Sequence, residues 1–108
     1  MILSLSRDLI AWGLGRRKLF RVKGRSMCPT LSDEDLVLVR FTHGKAPEIG
    51  SLVVARHPEN RNIIIKRVRS RGDSAAYLSS DNPTEGTDSR HFGSVDFANI
   101  IGTVVRQF

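Results

Sequence analysis

From residue 20 onward the apolar residues fall in short alternating or clustered runs, which predicts strands. In Phe20–Arg25 the basic residues occupy positions 21, 23 and 25, while Phe20 and Val22 take the other face. Leu19 lies just ahead and would interrupt the basic face if the strand began there. Leu36-Val37-Leu38-Val39, Leu52-Val53-Val54-Ala55 and Ile63–Val68 are three β-rich runs. Ala75–Leu78 and Ile100–Val105 are weaker candidates. Turn chemistry separates them at Ser32-Asp33-Glu34-Asp35, His43-Gly44-Lys45, Pro58-Glu59-Asn60 and Arg71-Gly72-Asp73. Many short strands with polar turns make a mostly β domain, a small barrel or folded sheet. The start differs. Ile2, Leu5, Leu9 and Trp12 have helical spacing and predict a short amphipathic helix docked on the body, with a membrane surface as its alternative seat. A basic turn, Arg16-Arg17-Lys18, follows. The chain thus divides into an N-terminal segment, 1–18, and one domain, 19–108. Ser79–Ser94 is a long polar loop, and long ordered loops in small domains are often functional.

Composition narrows the class. A chain of 108 residues with 40% hydrophobic and 26% charged residues is an ordinary globular domain with a modest core. One cysteine, Cys28, excludes an internal disulfide and fits a reducing, cytoplasmic compartment. No run approaches the roughly 20 apolar residues of a membrane span. A secretory signal would want a longer apolar centre than Leu9–Gly15. The net charge is +6, and residues 1–25 hold all of it: Arg7, Arg16, Arg17, Lys18, Arg21, Lys23 and Arg25 against Asp8. Attraction to an acidic partner or an anionic membrane periphery would centre there. Cys28, His43, His57 and His91 show no paired ligand spacing, so neither a metal nor another cofactor is expected.

Two residues carry candidate chemistry. Ser26 follows a strand and a glycine and precedes Met27 and Pro29, at a strand end where a hydroxyl can reach a groove. Lys66 closes an apolar run, and on a strand Ile64 and Val68 share its face. Apolar flanks desolvate an ammonium and lower its pKa. A neutral amine can take a proton from a serine hydroxyl and return it to a leaving amine, with no histidine or metal. Taken singly, a serine near a turn is more often a cap, and such a lysine more often lays its stem on an edge strand with its charge in water.

The residues around this pair resemble the signal peptidase I family of Ser/Lys peptidases. Gly24-Arg25-Ser26-Met27-Cys28-Pro29-Thr30-Leu31 looks like the nucleophile box, and Ile65-Lys66-Arg67-Val68 like the lysine box. Between them, Asp35–Val39 and Gly50–Val54 look like the two intervening strands. Ser80-Asp81-Asn82-Pro83 with Asp88-Ser89-Arg90-His91-Phe92-Gly93 resembles the last box, and Ile101-Gly102 the closing strand. The resemblance implies the folded β-sheet of signal peptidases and LexA C-terminal domains. It implies Ser26 as nucleophile, Lys66 as general base and the Ser26 backbone N–H as oxyanion donor, in a nucleophile loop with Gly24 and Arg25. Met27 and Pro29 would line the substrate site. Asp81, Asn82, Asp88, Arg90 and Gly93 would form a supporting loop, with Asp88 and Arg90 as an ion pair. The size and missing span are most similar to the small members that mature nickel-type superoxide dismutase by removing its N-terminal leader, which makes a leader-bearing precursor the expected partner.

Three positions depart from the pattern. Gly24 stands where many members place a serine that completes the oxyanion hole, a donor worth about 2.7–4 kcal/mol. Gly86 stands where many place a serine that orients the lysine, leaving Thr84 or Thr87 as substitutes. Ser80 replaces the usual opening glycine of the last box. Two other functions compete. A LexA-type domain cuts its own chain, commonly at an Ala-Gly or Cys-Gly step; the steps here are Trp12-Gly13, Leu14-Gly15 and Lys23-Gly24. A non-enzymatic basic β domain would bind nucleic acid, but 6% aromatic residues offer few stacking platforms, so no nucleic-acid partner is expected.

Overall fold

The computed structural model describes residues 2–5 and 17–108. Eight strands form one antiparallel sheet: β1 (Ile2–Leu5), β2 (Arg17–Lys23), β3 (Leu36–Phe41), β4 (Leu52–Arg56), β5 (Ile63–Arg71), β6 (Ala75–Ser79), β7 (Val95–Asp96) and β8 (Ile100–Gln107). A four-residue helix, α1 (Ser89–Phe92), lies between β6 and β7. The spatial order is β1-β2-β3-β8-β4-β5-β6-β7, and a further pairing of β1 with β5 closes the first six strands into a ring. The predicted small β barrel is therefore the observed architecture. β5 is long enough to serve two neighbours on one edge. Ile64 pairs with Ile2 of β1, while Arg67–Arg71 pair with β6.

Apolar clusters occupy both faces of the β4–β5 ribbon. Phe20, Val22, Met27, Leu31, Val37, Val39, Val54 and Ile65 pack on one side. Val53, Ala55, Ile64, Val68, Ala76, Leu78, Val95 and Ile100 pack on the other. Burial on both faces is why these central strands read as unbroken apolar runs rather than alternating ones. Where β3 crosses β8, only glycine fits: a Cβ on Gly102 would stand 2.2 Å from the Arg40 carbonyl oxygen.

β2 alternates as its pattern predicts, with Phe20 and Val22 buried and Arg21 and Lys23 partly exposed. Its basic face is partly neutralised, because Glu34 forms ion pairs with both Arg21 and Lys23. Two expectations are corrected. Ile2–Leu5 form a strand and not the first turn of a helix. The unpaired edges of β2 and of Ile63–Ile65 offer this segment a backbone ladder on both sides, which outweighs helical spacing in four residues. Leu9 and Trp12 lie outside the described residues. Arg17 and Lys18 are strand residues opposite Arg40 and Val39 rather than a turn, because the β2–β3 ladder continues to the end of β3. No helix among the described residues is long and apolar enough to cross a membrane.

Candidate active site

The β2 strand ends at Lys23, and the chain turns sharply through Ser26–Thr30. Met27 and Leu31, both fully buried, form the inward face of this turn, with the Leu31 N–H donating to the Met27 carbonyl at 2.9 Å. Burying two such side chains contributes about 1.5–3 kcal/mol each, which fixes the turn against the barrel. Ser26 is thereby held at the barrel mouth with 2% of its surface exposed. The Met27 side chain is consequently part of the core cluster with Phe20, Val22 and Leu31. Pro29 is exposed and follows a cis peptide bond.

Lys66 enters from β5 on the Ile64/Val68 face and is 1% exposed. Its Nζ lies 3.1 Å from Ser26 Oγ. It also donates to Ser80 Oγ at 3.0 Å. Burial pulls the Lys66 pKa below its usual value; the Asp88 carboxylate opposes this shift and the Arg90 guanidinium assists it. A lysine held in this way can lose its proton and accept another from the serine hydroxyl.

The segment 80–88 builds a clamp around the pair. The Asn82 N–H donates to the Ser26 carbonyl at 2.8 Å, and Asn82 Nδ2 donates to the Arg25 carbonyl at 3.1 Å. Asp81 accepts two hydrogen bonds from Arg67, at 2.9 and 2.7 Å, and one from Thr30 at 2.5 Å. One carboxylate, next to Ser80, thus ties together the neighbour of Lys66 and the Ser26–Thr30 turn. The Arg67 guanidinium holds the Asp81 carboxyl below the usual range, against the opposing effect of burial.

Asp88 caps α1 and reaches back to the site. Its carboxylate accepts from the Ser80 N–H at 2.9 Å, from the Arg90 N–H at 3.0 Å and from Arg90 Nε at 2.9 Å. Burial alone would raise its pKa; these donors prevail and lower it. Arg90 also donates to the Pro83 carbonyl, and Gly93 ends α1 by donating to the Ser89 carbonyl. Asp88 and Arg90 therefore act through Ser80 and the loop, at one remove from Ser26.

The departures from the family pattern have definite places. Gly86 packs against Ser26, and a Cβ there would stand 3.0 Å from Ser26 Cβ and 3.8 Å from its Oγ. Neither proposed substitute reaches the lysine: Thr84 donates to Asn82 Oδ1, and Thr87 is exposed. Ser80, the apparent misfit of the last box, makes that contact. The Gly24 N–H is engaged by Asp33 Oδ1 at 2.8 Å, so position 24 provides neither a hydroxyl nor a free amide.

The histidines lie elsewhere. His57 accepts two backbone N–H donors in its own turn and packs against the Phe92 ring. His91 accepts from the Asp88 N–H as part of the α1 cap. Among the described residues no three His, Cys, Asp or Glu side chains are grouped to hold a metal ion. A hollow of about 310 Å³ near Arg40, Thr42, Lys45 and Thr103 includes no member of the serine–lysine cluster.

The chain matches the family described as Peptidase S24-like over residues 13–105. That span contains every residue of the cluster. No curated protein matches the chain significantly.

Proposed function

The chain belongs to the Peptidase S24-like family, and we propose that it is a serine endopeptidase in which Ser26 and Lys66 act as a catalytic dyad. The observation that carries this reading is the 3.1 Å approach of Lys66 Nζ to Ser26 Oγ, with both side chains almost fully buried. Neutral Lys66 takes the Ser26 proton as Oγ attacks the scissile carbonyl. The Ser26 backbone N–H donates to the developing oxyanion. Lys66 then protonates the leaving amine, and a water activated by the same amine releases the acyl-enzyme. Ser80 keeps the amine aimed throughout.

The substrate in this proposal is an extended polypeptide paired with strand edges beside the dyad. The box pattern favours a precursor with an N-terminal leader, such as that of nickel-type superoxide dismutase. The net charge of +6 carried by residues 1–25 favours an acidic precursor or a peripheral membrane seat, in a cytoplasmic setting. Incubation with such a precursor, read by product masses, tests the assignment. Ser26→Ala and Lys66→Ala abolish cleavage, whereas His57→Ala and His91→Ala do not. The family match also accommodates the self-cleaving reading. Shortening of the purified chain's own intact mass during incubation would select it instead.

A further inference from the structure

We propose that strand β1 is a displaceable occupant of the peptide groove, and that an extended substrate binds by taking its place between β2 and β5. This rests on the dyad reading above. β2 runs toward Ser26 and the start of β5 runs toward Lys66, so the gap between these strands leads to the dyad. β1 fills that gap. Ile2 is paired at once with Lys23, three residues before Ser26, and with Ile64, two residues before Lys66.

Three features make β1 an occupant rather than a fixed stave of the barrel. It has four residues, and its hold on β5 is one bridged pair. β5 hands its other half to β6, so the Ile63–Ile65 edge has no partner but β1 among the described strands. β1 is also antiparallel to both neighbours, and therefore runs away from the dyad. Each residue after Ile2 recedes by about 3.4 Å from Ser26, so the strand's own bonds escape cleavage.

The ladder shows what a peptide would gain there. Val22 spends its N–H on Asp35 and its carbonyl on Glu34, both on the β3 side. Successive residues of a strand direct these groups to opposite neighbours. Arg21 and Lys23 therefore offer theirs to whatever lies in the groove, opposite Ser4 and Ile2 at present. Main-chain pairing of this kind accepts an extended peptide of almost any sequence.

A reversible lock tests the idea. Ser4 and Arg21 are Cα partners in a hydrogen-bonded pair, where separations near 5.5 Å suit a disulfide. Ser4→Cys with Arg21→Cys, in a Cys28→Ser background, is assayed oxidised and reduced, on a pool of randomised decapeptides and on a small fluorophosphonate that needs no groove. Ile2→Cys with Lys23→Cys is the second lock if the first does not fold. Oxidation is expected to lower peptide cleavage at least about tenfold, as expected when the competent state is rarely populated, and reduction to restore it. Fluorophosphonate labelling of Ser26 stays unchanged. Equal peptide cleavage by the two forms overturns the proposal.

Hydrogen exchange of the native full chain supplies a readout independent of activity. The Ser4 amide exchanges through local opening, much faster than the amides of β3 and β8, which require global unfolding. Equal protection of β1 and β3 overturns the proposal. If Ser26 labels in no form, the dyad reading fails instead, and exchange alone then decides whether β1 leaves the sheet.

Discussion

Ser80 Oγ stands 3.0 Å from Lys66 Nζ because the β5–β6 ladder slips by one residue before it reaches the lysine. Arg71 pairs with Ala76 and Ser70 with Tyr77, but Val68 pairs with Leu78 and Arg67 with Ser79. The irregularity between Val68 and Ser70 therefore carries Ser80 to the level of Lys66. A regular ladder would carry Asp81 there instead. The bulge thus puts a neutral hydroxyl, rather than a carboxylate, opposite the amine, and a neutral partner leaves the lysine free to deprotonate.

Ser80→Ala is expected to lower kcat by roughly ten- to a hundredfold with little change in KM, through misaiming of the amine. Because the hydroxyl also stabilises the ammonium form, its loss moves the acid limb of the pH–rate profile to lower pH. Ser80→Thr restores part of the rate. Steady-state kinetics across pH check all three outcomes; a purely structural role for Ser80 leaves the limb in place.

Gly86→Ala is expected to disable the enzyme more than it destabilises it. The new Cβ meets Ser26 Cβ at 3.0 Å, at a position with φ of +133°. Such backbone strain costs about 1–3 kcal/mol, while displacement of Oγ strikes the reaction directly. Thermal unfolding together with labelling of Ser26 separates the two effects.

Lys66→Met is expected to be inactive yet more stable than the native chain at neutral pH. The folded state lowers the Lys66 pKa, chiefly by burial, so the native chain binds fewer protons than the unfolded one between the depressed pKa and the ordinary 10.5. Native stability therefore rises with pH through that window. The advantage of the methionine variant shrinks correspondingly. Urea unfolding of both proteins from pH 7 to 10 measures the difference.

Asp88→Asn is expected to cost about 1–3 kcal/mol near neutral pH, because an amide nitrogen cannot accept from the Ser80 and Arg90 donors. Its hydrogen-bond donors and the Arg90 guanidinium hold the Asp88 carboxyl below the ordinary carboxylate value of 3.8. Its contribution is thus complete above that value and is lost as pH falls through the depressed pKa. The gap between native and variant proteins narrows below about pH 4, which acid unfolding curves measure.

The strands were legible because short apolar runs, separated by turns, are local patterns, whereas Ser26 and Lys66 stood out as a pair only through the ordered boxes around them. Parity placed Ile64 and Val68 on the face of Lys66 but left its charge open between burial and water, which only the packing of the site decides. Ser80 was not legible, since a one-residue bulge at Arg69 decides which residue faces Lys66 and leaves no compositional mark. The burial of Met27 was not legible either, because the turn that places its side chain in the barrel is a matter of tertiary packing. The N-terminal strand was hidden for a similar reason. Helical spacing in Ile2 and Leu5 is a local signal, whereas the edges that capture the segment belong to residues 20–23 and 64.

The most direct test of the dyad is the rate of Ser26 acylation by a small fluorophosphonate, followed by intact mass from pH 5 to 11, in the native protein and in Lys66→Ala. The native rate is predicted to rise with pH through a single ionisation below 10.5, the ordinary lysine value. Lys66→Ala is predicted to lose about 10²–10⁴-fold, the usual contribution of a general base. A native profile flat across this range, or a Lys66→Ala variant acylated at the native rate, would contradict the assignment of Lys66 as the base.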